Sequence, residues 1–190
     1  MKFSKFLVFK IFFVLVISPL FFYVPKANTA EEIKITYSIF SRTIKVNSLK
    51  TFAKEGRSTK QLKRILRATG STDKEIRTVL NKDFEVPITI ASKLLYSEIG
   101  NVFLTRLSSI IYPPRATDER TGMLALRASV IQGIKIGNGK INLINFFEGY
   151  PTKTLVLDVS ALSKVMNKVE SISELLTFFT NSALEKIKKN

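Results

Sequence analysis

The sequence predicts an α+β fold, mostly helical: an N-terminal β-hairpin plus one late strand, forming a small antiparallel sheet packed against about seven helices. Three observations carry this expectation. Alternation of β-branched residues with polar ones is confined to residues 33–46 and 153–159. Between those stretches apolar residues recur at helical spacing, punctuated by Gly, Pro and capping side chains. The 190 residues are 45% hydrophobic, ordinary for a globular chain, and no repeat or low-complexity linker divides them.

Residues 1–30 read as an address rather than as part of that fold. Lys2, Lys5 and Lys10 form a positive start, residues 11–24 are uncharged and mostly apolar, and Pro25 precedes the small-residue stretch Ala27-Asn28-Thr29-Ala30. This is the pattern of a secretory signal peptide, with cleavage expected after Ala30. The uncharged run of 14 residues falls short of the ~18–20 needed to span a bilayer. Counting back through Lys10 to Phe6 gives 19 residues, so an uncleaved membrane anchor is the alternative. Either way the chain is expected to be exported, to a periplasm or cell envelope. Residues 31–190 are expected to form a single domain. Loss of Lys2, Lys5, Lys10 and Lys26 would take the net charge from +15 to +11 on those 160 residues.

Ile33, Ile35, Tyr37 and Ile39 alternate along the first strand, and Ile44 and Val46 continue the pattern in a second, with a connection at Phe40-Ser41. Asn47 or Ser48 caps a helix that turns Leu49, Phe52 and Ala53 inward and stops at Gly56. Ser58 or Thr59 opens the next, with Leu62, Ile65 and Leu66 on one face and Gly70 at its end. Thr72 with Glu75 is a capping box ahead of Ile76, Val79 and Leu80. Pro87 suits the first turn of a helix with Ile88, Ile90, Ala91, Leu94 and Leu95 as its apolar positions. Another helix is expected over 97–111, ended by Pro113-Pro114, and the loop 113–118 leads to a helix over 119–134. Gly137-Asn138-Gly139 is a turn, 141–147 a short helix, 153–159 a strand that must find its partner in the early hairpin, and 160–188 helical again.

Composition excludes several chemistries. The chain has no His and no Cys, hence no Ser-His-Asp or Cys-His unit, imidazole metal site, disulfide or zinc knuckle. There is no Gly-x-Ser-x-Gly nucleophile elbow. Ser71 and Lys74 have the Ser-x-x-Lys spacing, but they sit at a helix start without companion motifs, so a capped helix with a solvated Lys is the preferred reading. Gly133 to Lys140 resembles a phosphate loop only loosely: five residues rather than four precede the Gly-Lys pair, and Ile141 replaces the Ser or Thr. The acids Glu31-Glu32, Asp118-Glu119 and Asp158 lie at a terminus or at helix starts. No catalytic residue, cofactor or metal is therefore expected.

A basic cluster stands out instead. Arg57, Lys60, Lys63, Arg64, Arg67, Lys74 and Arg77 face only Asp73 and Glu75 within residues 57–77, a local net charge of +5. Lys60, Lys63/Arg64 and Arg67 share one helical face opposite Leu62, Ile65 and Leu66. Such a face suits phosphate head groups or acidic polysaccharide, and the plainer alternative is a solvated amphipathic surface of the kind surface helices normally carry. No aromatic residue interleaves, which disfavours nucleic acid. Arg127, within an apolar helix, is expected to pair internally with Glu98 or Glu148.

Four segments carry a family resemblance: ITYSIFSRTIKVNSLKTFAKEG (35–56), ASKLLYSEIGNVFLTRLSSII (91–111), ALRASVIQG (125–133) and INLINFFEGYPTKTLVLDV (141–159). Together they resemble a domain of unknown function from cyanobacterial exported proteins that often precedes an α/β-hydrolase domain and is labelled accordingly. The resemblance implies a stand-alone copy of a non-catalytic N-terminal part. Arg42 and Arg127 match positions of its pattern, which implies a shared structural or binding need. The functional expectation is an exported, non-enzymatic binding module. Its partner would be anionic lipid or polysaccharide, or a separately encoded protein, with only peripheral membrane contact if the N-terminal segment is removed. The alternative is an accessory to a hydrolase, or a hydrolase by label.

Overall fold

The structure, a computed structural model, describes residues 29–68, 72–116 and 118–166. The expected address segment to residue 28, the helix stop at Gly70, the Ser71 hydroxyl and the chain beyond Met166 lie outside the described residues. Among the described residues, no helix is long and apolar enough to cross a membrane.

Strands β1 (Glu32–Tyr37) and β2 (Phe40–Lys45) pair antiparallel, with Ile33 opposite Ile44 and Tyr37 opposite Phe40. Their connection is Ser38-Ile39, not Phe40-Ser41: Ser38 takes φ 52°, the positive value that two-residue hairpins need at their first turn position. β2 runs straight into helix α1 (Val46–Glu55), so neither Asn47 nor Ser48 caps it. The Val46 N–H donates instead to Glu31 O at 2.8 Å, tying the helix start to the first strand. Gly56, at φ 75°, closes α1 in the left-handed conformation that glycine adopts without steric cost, its N–H on Phe52 O.

Thr59 opens α2 (Lys60–Ala68) by accepting the Leu62 N–H at 3.2 Å. The Thr72–Glu75 capping box opens α3 (Asp73–Leu80), and its hydrogen bonds from Thr72 hold the Glu75 carboxyl below its ordinary pKa. Two short strands follow at wide separation, β3 (Phe84–Glu85) and β5 (Lys140–Ile141), which pair antiparallel. Between them lie α4 (Ile88–Leu95), α5 (Glu98–Leu107), β4 (Ile111–Tyr112) and α6 (Glu119–Ile136). Ser97 and Asp118 cap α5 and α6. Asn138 and Gly139, both at positive φ, make a tight turn closed by Lys140 N–H on Gly137 O. The Gly133–Lys140 stretch is thus a helix end, a turn and a strand start, not a phosphate cradle. Helix α7 (Leu143–Glu148), strand β6 (Thr154–Asp158) and helix α8 (Val159–Met166) complete the order.

The late strand does pair with the hairpin, but parallel to it. Thr154 to Asp158 align with Glu32 to Thr36, and β4 adds antiparallel on the far side of β6. The main sheet is therefore mixed, in the order β2-β1-β6-β4, not purely antiparallel. The expected helix over 97–111 stops at Leu107 because Ile111 and Tyr112 extend to join this sheet. Ile33, Ile44 and Leu155 lie abreast in register and belong to one buried core with residues of α1, α4, α5, α6 and α7. Phe52, Leu62, Leu104, Leu126 and Tyr150 fill the middle of that core.

Several residues expected in the core are outside it. Val79, Ile88, Ile90, Leu94, Ile99 and Leu124 are exposed. On α4 only Ala91 and Leu95 are buried, so that helix is apolar on a covered face and on an open one.

Candidate functional site

Helix α2 reads KQLKRILRA and contains no acid. Leu62 and Leu66 are buried and Ile65 is partly buried, which turns Lys60, Lys63, Arg64 and Arg67 outward into solvent. The helix thus presents a convex cationic face. A cavity of about 530 Å³ does adjoin its first turn, but Gln61, Leu62, Thr43 and Lys45 line it, not the four cations. The concavity and the basic face are separate features.

The remaining members of the basic cluster have other neighbours. Arg77 donates from Nε to Ala53 O and from Nη2 to Lys54 O, each at 3.1 Å, satisfying carbonyls left open at the end of α1. Arg57 pairs with Glu55. Lys74 is exposed on the first turn of α3. Arg42 is exposed on the edge strand β2, with Nη1 donating to Ser41 O at 3.0 Å. Of the seven cluster cations, four face solvent together on α2, while Arg77 holds α1 against α3.

Arg127 is only 7% exposed. Neither Glu98 nor Glu148 pairs with it; Glu148 takes Lys50 instead. Its guanidinium donates from Nε to Leu95 O at 3.1 Å and from Nη2 to Asn101 Oδ1, and it stacks 4.2 Å from the Tyr96 ring centre. The correction has a simple cause. Leu95 O belongs to the last turn of α4, where a carbonyl lacks a helical partner and carries partial negative charge. That acceptor is invisible to a search for acidic side chains.

Two polar features have no counterpart in the sequence reading. Tyr112 lies beside Thr36 and Asp158 at the end of the sheet, where burial first, then the Asp158 charge, raises its pKa. Asp158 accepts the Ala161 N–H at 3.0 Å and so caps α8, as its position before a helix suggested. Tyr150 is fully buried beside Phe146, and its hydroxyl has no hydrogen-bond partner among the described residues. Burial alone pushes its pKa well above the ordinary value of a phenol.

Tyr150 yields a pH prediction. Between the ordinary value near ~10 and the raised folded value, the folded state keeps a proton that the unfolded state has lost, so stability falls as pH rises past about 10. Tyr150→Phe removes that titration and the orphaned hydroxyl. Urea unfolding should show it about 1 kcal/mol more stable at pH 7, with a larger advantage at pH 11. A less stable phenylalanine variant would show that the hydroxyl has a partner.

Among the described residues, no group of three or more Asp and Glu is placed to hold a metal ion. The whole defines a helix-rich α+β protein with a small mixed sheet and a convex cationic helix. The chain belongs to the family described as alpha/beta hydrolase of unknown function (DUF1400), whose model matches residues 29–158. No curated protein and no solved structure matches it.

Proposed function

We propose that this chain is an exported, non-enzymatic binding module that associates with an anionic surface of the cell envelope through α2. The observation that carries the reading is the convex face of Lys60, Lys63, Arg64 and Arg67 on a helix without a single acid. Four cations at an anionic surface contribute about 1 kcal/mol each. The non-enzymatic part is supported by the absence of His and Cys from the sequence and by the exposed, solvated position of Lys74. The described sheet, with one parallel pair, also differs from the sheet of an α/β-hydrolase, on which a strand-to-helix elbow presents the nucleophile.

Sedimentation of the full chain with vesicles tests this. Phosphatidylcholine vesicles report the contribution of the apolar N-terminal segment; the extra binding gained with phosphatidylglycerol is the quantity of interest. That increment should fall as salt rises. It should drop by roughly a thousandfold when Lys60, Lys63, Arg64 and Arg67 are all replaced by Gln. Absence of any anionic increment at low salt, on vesicles and on cell-wall material alike, sinks the reading.

The exposed apolar residues Ile90, Leu94 and Tyr96 at α4 favour a second reading, in which the chain docks as an accessory on a separately encoded hydrolase. Co-purification with a catalytic subunit, lost on Leu94→Asp, would support it over the first.

A further inference from the structure

We propose that the tip of the β1–β2 hairpin is a lipid-inserting wedge, and that the tip and α2 form one contact surface for an anionic bilayer. This rests on the cationic-surface reading and commits it to lipid rather than polysaccharide.

Tyr37, Ile39 and Phe40 at the tip are 59%, 90% and 64% exposed. Two-residue hairpin turns favour Gly, Asn and Asp for their backbone freedom. Here the turn is Ser38-Ile39, and a β-branched apolar residue occupies the most solvated position of the hairpin. Ile39 contributes nothing to the turn that a polar residue would not.

The tip also lies beyond the buried part of β2. On β2 only Ile44 is buried, and Phe40 lies four residues further out, about 13 Å along an extended strand. Arg42 sits between them, about 7 Å behind Phe40. A surface-bound apolar element enters the headgroup and acyl boundary by about 5–10 Å. With Phe40 at that depth, Arg42 lies at the level of the phosphates.

The cationic helix shares this edge of the molecule. β2 is the outermost strand, and Gln61 on the first turn of α2 donates to Thr43 O at 2.6 Å. The tip has a further support behind it, the Ser38 N–H donating to Ser160 Oγ at 2.9 Å. An apolar wedge beside a row of cations is the two-part signal that gives stable peripheral binding, where either part alone is marginal. A polysaccharide would engage the cations but offers nothing to Ile39 and Phe40.

The sequence contains no Trp, so one introduced indole reports on its own surroundings. In the full chain, Phe40→Trp fluorescence should shift to the blue with phosphatidylglycerol vesicles and be quenched by lipids brominated on their acyl chains. Leu94→Trp, on the open face of α4, should do neither. The double variant Ile39→Ser/Phe40→Ser should fold as the parent does by circular dichroism, yet lose about tenfold or more in affinity for the same vesicles. A silent Phe40→Trp with salt-dependent sedimentation intact overturns the wedge and leaves the cationic reading standing; loss of both overturns both. A response from Leu94→Trp moves the contact to α4 and also overturns the wedge. So does Phe40→Trp emission already blue-shifted before vesicles are added, since the tip would then be covered.

Discussion

Phe52→Ala is expected to lower the unfolding free energy by about 3–5 kcal/mol, the usual cost of emptying an aromatic site in a packed core. Phe52 is 0% exposed, on the helix that connects the hairpin to α3 and α7. Two effects add: the transfer free energy of the lost ring, and the cavity left where neighbours on several elements cannot all collapse inward. The loss is a large share of the roughly 5–15 kcal/mol typical of a domain. Phe52→Leu, which fills most of the space, should cost much less. Urea titration followed by circular dichroism measures both. A loss below about 1 kcal/mol for the alanine variant would mean that the site collapses freely.

Arg127→Ala should cost about 3–4 kcal/mol, chiefly by leaving the Leu95 carbonyl unpaired. Loss of the guanidinium stacked on Tyr96 and of the packed aliphatic stem adds to this. Arg127→Lys keeps the charge but not the fork that reaches Leu95 O and Asn101 together, so it should recover only part of the loss. Neither variant should change the anionic increment in vesicle binding once folding is accounted for, since this cation is buried away from α2. If Arg127→Lys stays fully stable yet loses vesicle binding, Arg127 belongs to the binding surface.

Local chemistry was the legible part of this fold. The Thr72–Glu75 capping box, the left-handed Gly56, and the caps Asp118 and Asp158 each depend on residues a few positions apart. The early hairpin and the late strand were visible from alternation. Pairing between elements was not. Strands of two residues, such as β3, β4 and β5, have no period to detect. The direction of β6 against β1 depends on how the intervening helices pack. Periodicity marks Ile90 and Leu94 as apolar but cannot say whether a partner covers them.

The candidate site divides the same way. The outward set on α2 follows directly from spacing against Leu62 and Leu66. Proximity in sequence places Arg77 with that set, although its guanidinium closes a helix whose last carbonyls lie 23 and 24 residues away. The hairpin tip carries one clue, an isoleucine at a turn position, which alternation alone places on a strand face.

The parallel pairing of β1 with β6 also dictates when the molecule can become itself. Residues that face each other across that pair, such as Glu32 and Thr154, are 122 positions apart. A growing chain can form the hairpin and the contact between α1 and α3 early, because these join residues close in sequence. The central strand pair must wait until residue 154 and its neighbours have emerged, and closing so long a loop makes the step slow. Until then Ile33 and Ile35 line an unfinished sheet edge, open to other chains. The last described strand is thus the latch of the sheet: without β6, β1 keeps an open edge and β4 has no partner in the sheet.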